Sequence, residues 1–452
     1  MNNMKLKPPS MAEMSEMLKA SGLKNKLLFT LFIIVIFRLG IHLPIYGINN
    51  EFFQRLISSN NGQNIIGFLD LFSGGALGKV SILALGIGPF ITSSIIIQLL
   101  AVVIPHLEQL QKDEGDEGRR KLMQYSRYLT VIIGVFQALV FGLFLSKQSG
   151  GAALLPGVSP VGFLISTVIL LTAGAVFTMW LSELITDRGI GNGSSLIIFC
   201  GILSGIPLYI QRTSTLVANN PIMQVKLLLL LAIFAAAITL IIILHEAIRK
   251  VLIVNPKRQV GNKIYGGMNT YIPFKLNPGG VMPIIFAIAI MLFPATILGV
   301  LGQSSYLHGT LKTIIEAMSN ALNSSNFSYY FIYVLLIIGL TFFYASIMPN
   351  MQPKEIANNL KKQGASIPGV KPGRPTAEVL ETILTRTIFI GAVALGIIAL
   401  VPSLTSKLTG ITTFQGIGAT SLIIIVGVAL DFINQIKTHL LATHYESFLK
   451  ND

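Results

Sequence analysis

Residues 65–100 read IIGFLDLFSGGALGKVSILALGIGPFITSSIIIQLL. The first half, Ile65 to Leu83, is apolar enough to enter a bilayer, yet Gly74, Gly75 and Gly78 break it and it carries Asp70. Irregular backbone at membrane depth survives only when buried in protein or facing a water-filled cavity, because lipid offers no hydrogen bonds. The stretch predicts a re-entrant element inside a helical bundle; an interfacial loop on the outer surface is the other reading. The second half predicts a helix. Ile87, Ile91 and Ile95 fall at i, i+4 and i+8 on one face, a stripe that ordinary packing also produces. Thr92, Ser93, Ser94 and Gln98 add hydrogen-bonding groups that should face other helices rather than lipid.

Nine further apolar blocks surround this helix. In order, the ten candidate spans are Leu27 to Tyr46, Ile82 to Ile104, Tyr128 to Leu145, Val161 to Leu181, Ser195 to Ile210, Val225 to Leu244, Val281 to Leu301, Tyr330 to Pro349, Thr387 to Val401 and Ala419 to Ile436. Blocks of 15 to 23 residues fit helices, where a barrel would show alternating strands of roughly 10 residues. The 452-residue chain is 52% hydrophobic and 12% charged, against about 25% charged in a soluble protein. Its solvent is mainly lipid.

The net charge of +14 would suggest nucleic acid in a soluble protein. Here the basic residues lie between apolar blocks and set orientation. Of the 33 lysines and arginines, 25 fall on the side that holds both termini, seven on the opposite side, and Arg38 within the first span. Both termini are therefore expected in the cytosol. The start, MNNMKLKPPSMAEMSEMLKASGLKNK, lacks a cleavage site and predicts a retained first span. Two basic cytosolic loops, His245 to Asn277 and Asn350 to Thr385, each exceed 30 residues. Connections of two to eight residues are commoner in bundles, and the Pro and Gly in NPKRQVGNK and IPGVKPGRP predict rigid projections. Ordinary positive-inside charge is the competing reading of any one of these residues.

Motifs for chemistry mostly fail. SGGALGKVS, from Ser73, lacks the first glycine and the hydroxyl of a phosphate-binding loop. HEAIR, from His245, has Arg249 where a metalloprotease helix needs its second ligand. GIGNG, from Gly189, follows no strand, so it reads as a flexible start to the fifth span. Cys200 is the sole cysteine and cannot form a disulfide within the chain. The six histidines are scattered, and Arg38, Glu183 and Asp431 lie towards span ends, where snorkelling or a cap accounts for them. No catalytic residues, metal site or cofactor are expected.

These residues resemble the SecY family, the channel subunits of the general protein-secretion translocon. The likeness runs nearly end to end through FRLG (37–40), FSGGAL (72–77), ALGIGPFITSSIIIQLL (84–100), GRRK with QYSRY (118–128), DRGIGNGSSLIIF (187–199), NPGGVMPIIFA (277–287), PKEIANNLKKQGASIPGVKPGRPT (353–376), GATSLIIIVGVALD (418–431) and HYESFLK (444–450). It implies an all-α polytopic membrane protein: ten transmembrane helices in two pseudo-symmetric five-helix halves around a central pore, with a re-entrant plug. The halves would be 27–213 and 214–436, between a cytosolic segment 1–26 and a tail 437–452, with the cytosolic loops at about 245–277 and 350–385.

The same resemblance implies the sites. A plug over about 65–78 would include Phe72, Ser73, Gly74 and Gly75, and a pore ring would use Ile87, Ile91, Ile198, Ile285 and Ile424. The sixth family position falls on Ser194, which is polar and is left out of the ring. Bulky apolar side chains without fixed hydrogen bonds suit a gasket around any peptide and exclude ions by dewetting. A lateral gate between the second and seventh spans would carry the polar cluster Thr92, Gln98 and Asn277, bonded between helices at about 0.6 kcal/mol each. Lys257, Arg258, Lys275, Lys371 and Arg374 would dock cytosolic partners; Lys371 stands where the family's IPGIRPG motif has arginine, which removes bidentate geometry. The implied partners are small SecE-like and SecG-like helical subunits, a SecA-like motor ATPase or the ribosome, signal-bearing polypeptides and membrane lipid. The membrane would be the inner membrane of a bacterium or a thylakoid. A secondary transporter with inverted repeats is the alternative function, and the scarcity of central ionisable groups argues against it.

Overall fold

The computed structural model describes residues 22–48, 70, 73–112, 115–147, 159–218, 221–254, 258–260, 263–265, 269–302, 313, 315, 317–318, 321–322, 326–348, 351–409 and 419–450. The helices are α1 (Leu23–Gly40), α2 (Gly88–Val103), α3 (Pro105–Lys112), α4 (Gly115–Lys147), α5 (Pro160–Arg188), α6 (Gly193–Ala218) and α7 (Pro221–Glu246). Four short strands follow, β1 (Ile248–Val254), β2 (Arg258–Val260), β3 (Lys263–Tyr265) and β4 (Asn269–Lys275). The chain continues with α8 (Met282–Gly302), α9 (Phe327–Ile347), α10 (Pro353–Gln363), α11 (Arg374–Thr409) and α12 (Ala419–Lys450).

Seven helices, α4 to α7, α9, α11 and α12, are long and apolar enough to cross a membrane. The apolar part of α8 and all of α2 are shorter, and α1 is apolar between Lys24 and Lys26 at one end and Arg38 at the other. Together they make the ten apolar helices among the described residues. They fall into two sets. In the first, α4 packs on α5 and α2, and α5 on α1 and α6; in the second, α11 packs on α9, α7 and α12, and α8 on α9. The sets meet along α2 with α8, along α6 with α7, and where α12 lies against α6.

Several ends differ from the sequence expectation for local reasons. The second span was expected from Ile82, but 82–87 are turns and the helix starts at Gly88, because Gly86 is left-handed at φ +54° and Pro89 fits only a first turn. The ninth span was expected from Thr387, whereas α11 begins at Arg374 and adds polar first turns before the apolar block. Within the expected loop 350–385, α10 is a complete amphipathic helix. Pro353 opens it, Glu355 lies in its first turn, Lys361 and Lys362 in its last, and Gly364 (φ +72°) closes it, each where the helix dipole and cap geometry favour it.

The loop 245–277 adds β-structure to an otherwise helical chain. β1 and β4 pair antiparallel from Ile248↔Lys275 to Val254↔Asn269, and Val254 bridges on to Ser366. Val251, Ile253 and Phe274 of this hairpin share a buried core with Ala357, Leu360, Ile367, Leu380 and Leu384. The two basic loops therefore form one folded unit.

Candidate pore, plug and gate

The five isoleucines assigned to the ring arise from four elements of both helix sets. Ile87 immediately precedes α2, Ile91 lies within it, Ile198 on α6, Ile285 on α8 and Ile424 on α12. Their exposures run from 0 to 8%, and all belong to one buried cluster that also holds Ile41 and Ala76. Ala76 comes from the broken segment quoted above, so that segment contributes to the same core as the isoleucines. Ser194 sits in the first turn of α6, where its hydroxyl donates to Asn192 Oδ1 at 2.6 Å. That is a helix-capping arrangement and keeps Ser194 out of the cluster.

The segment 73–87 is held by a dense set of polar bonds. Ser73 Oγ donates to the Asp70 carbonyl (3.0 Å) and accepts from Leu77 N–H (3.1 Å). Asp70 Oδ1 accepts from Gly78 N–H at 2.6 Å. Ile45 N–H donates to the Val80 carbonyl and Ile82 N–H to the Leu43 carbonyl, both at 2.9 Å. Gly74 and Gly75 are both left-handed (φ +71° and +86°). A Cβ on Gly74 would lie 2.9 Å from Gly201 Cα, so this turn rests backbone to backbone on α6. Phe72 lies outside the described residues.

Arg38 does more than snorkel. Its Nη1 donates to the Gly74 carbonyl and to Ser204 Oγ, each at 2.9 Å. The first partner is 36 residues away in sequence and the second 166, so neither could be paired with it from the sequence. Glu183 also has a partner, Arg127, at 2.7 Å across α4 and α5.

Along the α2/α8 seam the expected polar cluster takes a different form. Thr92 Oγ1 donates to the Gly88 carbonyl (3.0 Å) and Gln98 Nε2 to Ser94 Oγ (3.2 Å), both within α2. Asn277 Nδ2 donates to the Gly280 carbonyl (2.8 Å) in the turn before α8. None of the three bonds across the seam among the described residues, because each finds a local acceptor within four residues. Apolar packing holds the seam in this conformation.

A cavity of about 360 Å³ lies between the end of α7, the start of α8 and the middle of α12, lined by His245, Asn277, Gly280, Tyr344 and Asp431 among others. His245 Nε2 lies 3.8 Å from Asp431 Oδ1. Both ring nitrogens of His245 and Oδ1 of Asn277 are buried without a hydrogen-bond partner. Beside this mouth, Lys275 ends β4, and the exposed Lys371 precedes α11, its carbonyl accepting from Thr376 Oγ1 at 2.8 Å. Arg374 Nε pairs with Glu378 at 3.2 Å, which commits part of its fork within α11. Arg258 lies in β2, with its backbone alone described, and Lys257 lies outside the described residues.

The SecY family model matches residues 81–433. A curated relative from Synechocystis sp., named protein translocase subunit SecY, is 41% identical over 446 residues, covering 98% of each chain. A solved structure described as "The structure of a protein conducting channel" superposes with a TM-score of 0.64 at 18% identity, covering 93% of each chain. Sec61 in the canine ribosome-channel complex from the endoplasmic reticulum gives a TM-score of 0.60 at 17% identity and the same coverage.

Proposed function

We propose, from the premise that this chain belongs to the SecY family, that it is the central subunit of a protein-conducting channel. It is a multi-pass membrane protein that moves unfolded secretory polypeptides across the bilayer and releases apolar segments sideways into lipid. Residues 27–213 and 214–436 form the two halves, and the α2/α8 seam is the lateral gate. Ile87, Ile91, Ile198, Ile285 and Ile424 form the gasket. The observation that carries the reading is their convergence, from both helix sets, in one buried cluster with Ala76. Branched apolar side chains there exclude water and ions yet yield to an extended chain of any sequence.

The segment 65–78 closes the outer side as the plug. At the seam, Thr92, Gln98 and Asn277 hold local bonds while the gate is shut and become available to an incoming segment when the helices part. The chain supplies no catalysis; the energy comes from a motor ATPase, a ribosome or the membrane potential. Both termini face the cytosol of a bacterial inner membrane or the equivalent thylakoid side. The first loop presents Lys257, Arg258 and Lys275, and the start of α11 with the turn before it presents Lys371 and Arg374, to the ribosome or motor, and small SecE-like and SecG-like helical subunits complete the complex. The ribosome contact is mainly phosphate neutralisation and is therefore weakened by salt.

The test is disulfide trapping. With Cys200 replaced by serine, a cysteine at Ile87 or Ile285 should crosslink to a cysteine in a stalled secretory chain, whereas one at the exposed Val225 should not. Absence of adducts from both ring positions, with the stalled complex intact, would remove the ring from the path of the chain.

A further inference from the structure

We propose that Arg38 is the latch of the plug, a positioning residue whose guanidinium fastens the closed state. This rests on the reading of 65–78 as a plug. The Gly74 carbonyl is a backbone acceptor at membrane depth, where an unmet hydrogen bond has no water to turn to. It is met by Arg38 Nη1 at 2.9 Å, and the same nitrogen donates to Ser204 Oγ at 2.9 Å. Ser204 in turn donates to the Gly201 carbonyl at 2.7 Å. One nitrogen therefore joins α1, the plug and α6.

The surroundings explain why the contact requires a long cation at this position. A Cβ on Gly74 would lie 2.9 Å from Gly201 Cα of α6, so the turn has no space for a side chain of its own there, and the short contacts to its carbonyl come from Arg38 at 2.9 Å and, more distantly, from Ser204 at 3.4 Å. Phe37 and Ile41, beside Arg38 on the chain, are buried in the isoleucine cluster. A charge in that setting is costly and is kept where it has work to do. While the plug is in place its carbonyl meets part of that charge. Once the plug leaves, Nη1 retains Ser204 alone and turns towards an aqueous pore, where water replaces the lost acceptor. The latch is thus reversible, and it biases the plug to return whenever the pore empties.

The experiment uses the full chain, reconstituted with its small helical subunits in proteoliposomes, with ion leak as the readout. The variants are Arg38→Gln, deletion of 65–78, and both together. Loss of a charge-assisted hydrogen bond should raise the leak of Arg38→Gln by about tenfold to a hundredfold, and adding it to the deletion should change nothing further. Leak from the deletion with none from Arg38→Gln overturns the latch and leaves the plug standing. A tight deletion channel overturns the plug itself. Extra leak from Arg38→Gln on top of the deletion means that Arg38 seals on its own, which also overturns the latch. If Arg38→Gln fails to assemble, Arg38→Lys and Ser204→Ala decide through hydrogen exchange at the Gly75, Leu77 and Gly78 amides. Faster exchange in both supports the latch, and wild-type exchange in both rejects it.

Discussion

The proposed plug and the mouth of the cavity beside α8 are both rich in polar groups, yet they treat those groups in opposite ways. Around the proposed plug the side chains of Arg38, Asp70, Ser73, Ser81 and Ser204 all have protein partners. At the mouth, both nitrogens of His245 and one oxygen of Asn277 are buried beside the cavity with no hydrogen bond from the protein. A region that saturates its own polar groups resists opening, because every departure breaks bonds. Buried groups left without hydrogen bonds carry a standing cost that an incoming donor or acceptor would relieve.

The contrast can be broken most sharply at Gly74. Gly74→Val places a branched side chain at φ +71° and against Gly201, a combination costing several times the ~1 kcal/mol of one left-handed non-glycine residue. Ion leak close to that of the plug deletion is expected, and a wild-type seal would show that the turn does not rest on α6. At the mouth the same logic reverses the sign. His245→Leu removes two buried nitrogens that make no hydrogen bond, together with the 3.8 Å approach to Asp431, so thermal stability should stay within about 1 kcal/mol of wild type or rise. A loss of several kcal/mol would mean that His245 is bonded in the assembled complex and that the mouth is as closed as the plug.

The smallest effect concerns Asp70. Its Oδ1 accepts from Gly78 N–H at 2.6 Å, so Asp70→Ala removes one hydrogen bond from the turn, worth about 1 kcal/mol. Leak should rise about fivefold, well short of Gly74→Val. A wild-type seal in Asp70→Ala would show that this bond does not hold the segment.

Much of this was legible in the sequence because bilayer thickness imposes a length and lipid imposes a composition. The ten blocks, the broken segment at 65–83 and the isoleucine stripe at 87, 91 and 95 all follow from those two constraints. What escaped depended on distant partners or weak patterns. Arg38 looked like an end-of-span cation, since nothing local points to Gly74 or Ser204. The hairpin was hidden by its burial pattern, in which only Val251 and Ile253 of β1 turn fully inward. By contrast, α10 carried its own punctuation, Pro353, Glu355, the paired lysines and Gly364, and could have been read as a helix. The polar seam residues were recognised by type, but the sequence could not reveal that each would bond locally.

The common core of the two long loops has a mechanical meaning. Since β1, β4, α10 and the start of α11 share buried side chains, they are coupled as one handle. The handle's last strand ends at Lys275, and α8 begins at Met282. Leu276, between them, is pinned by its N–H to the Ala247 carbonyl at 2.9 Å. Six residues of chain therefore separate the handle from α8, a linkage short enough to act as a crank.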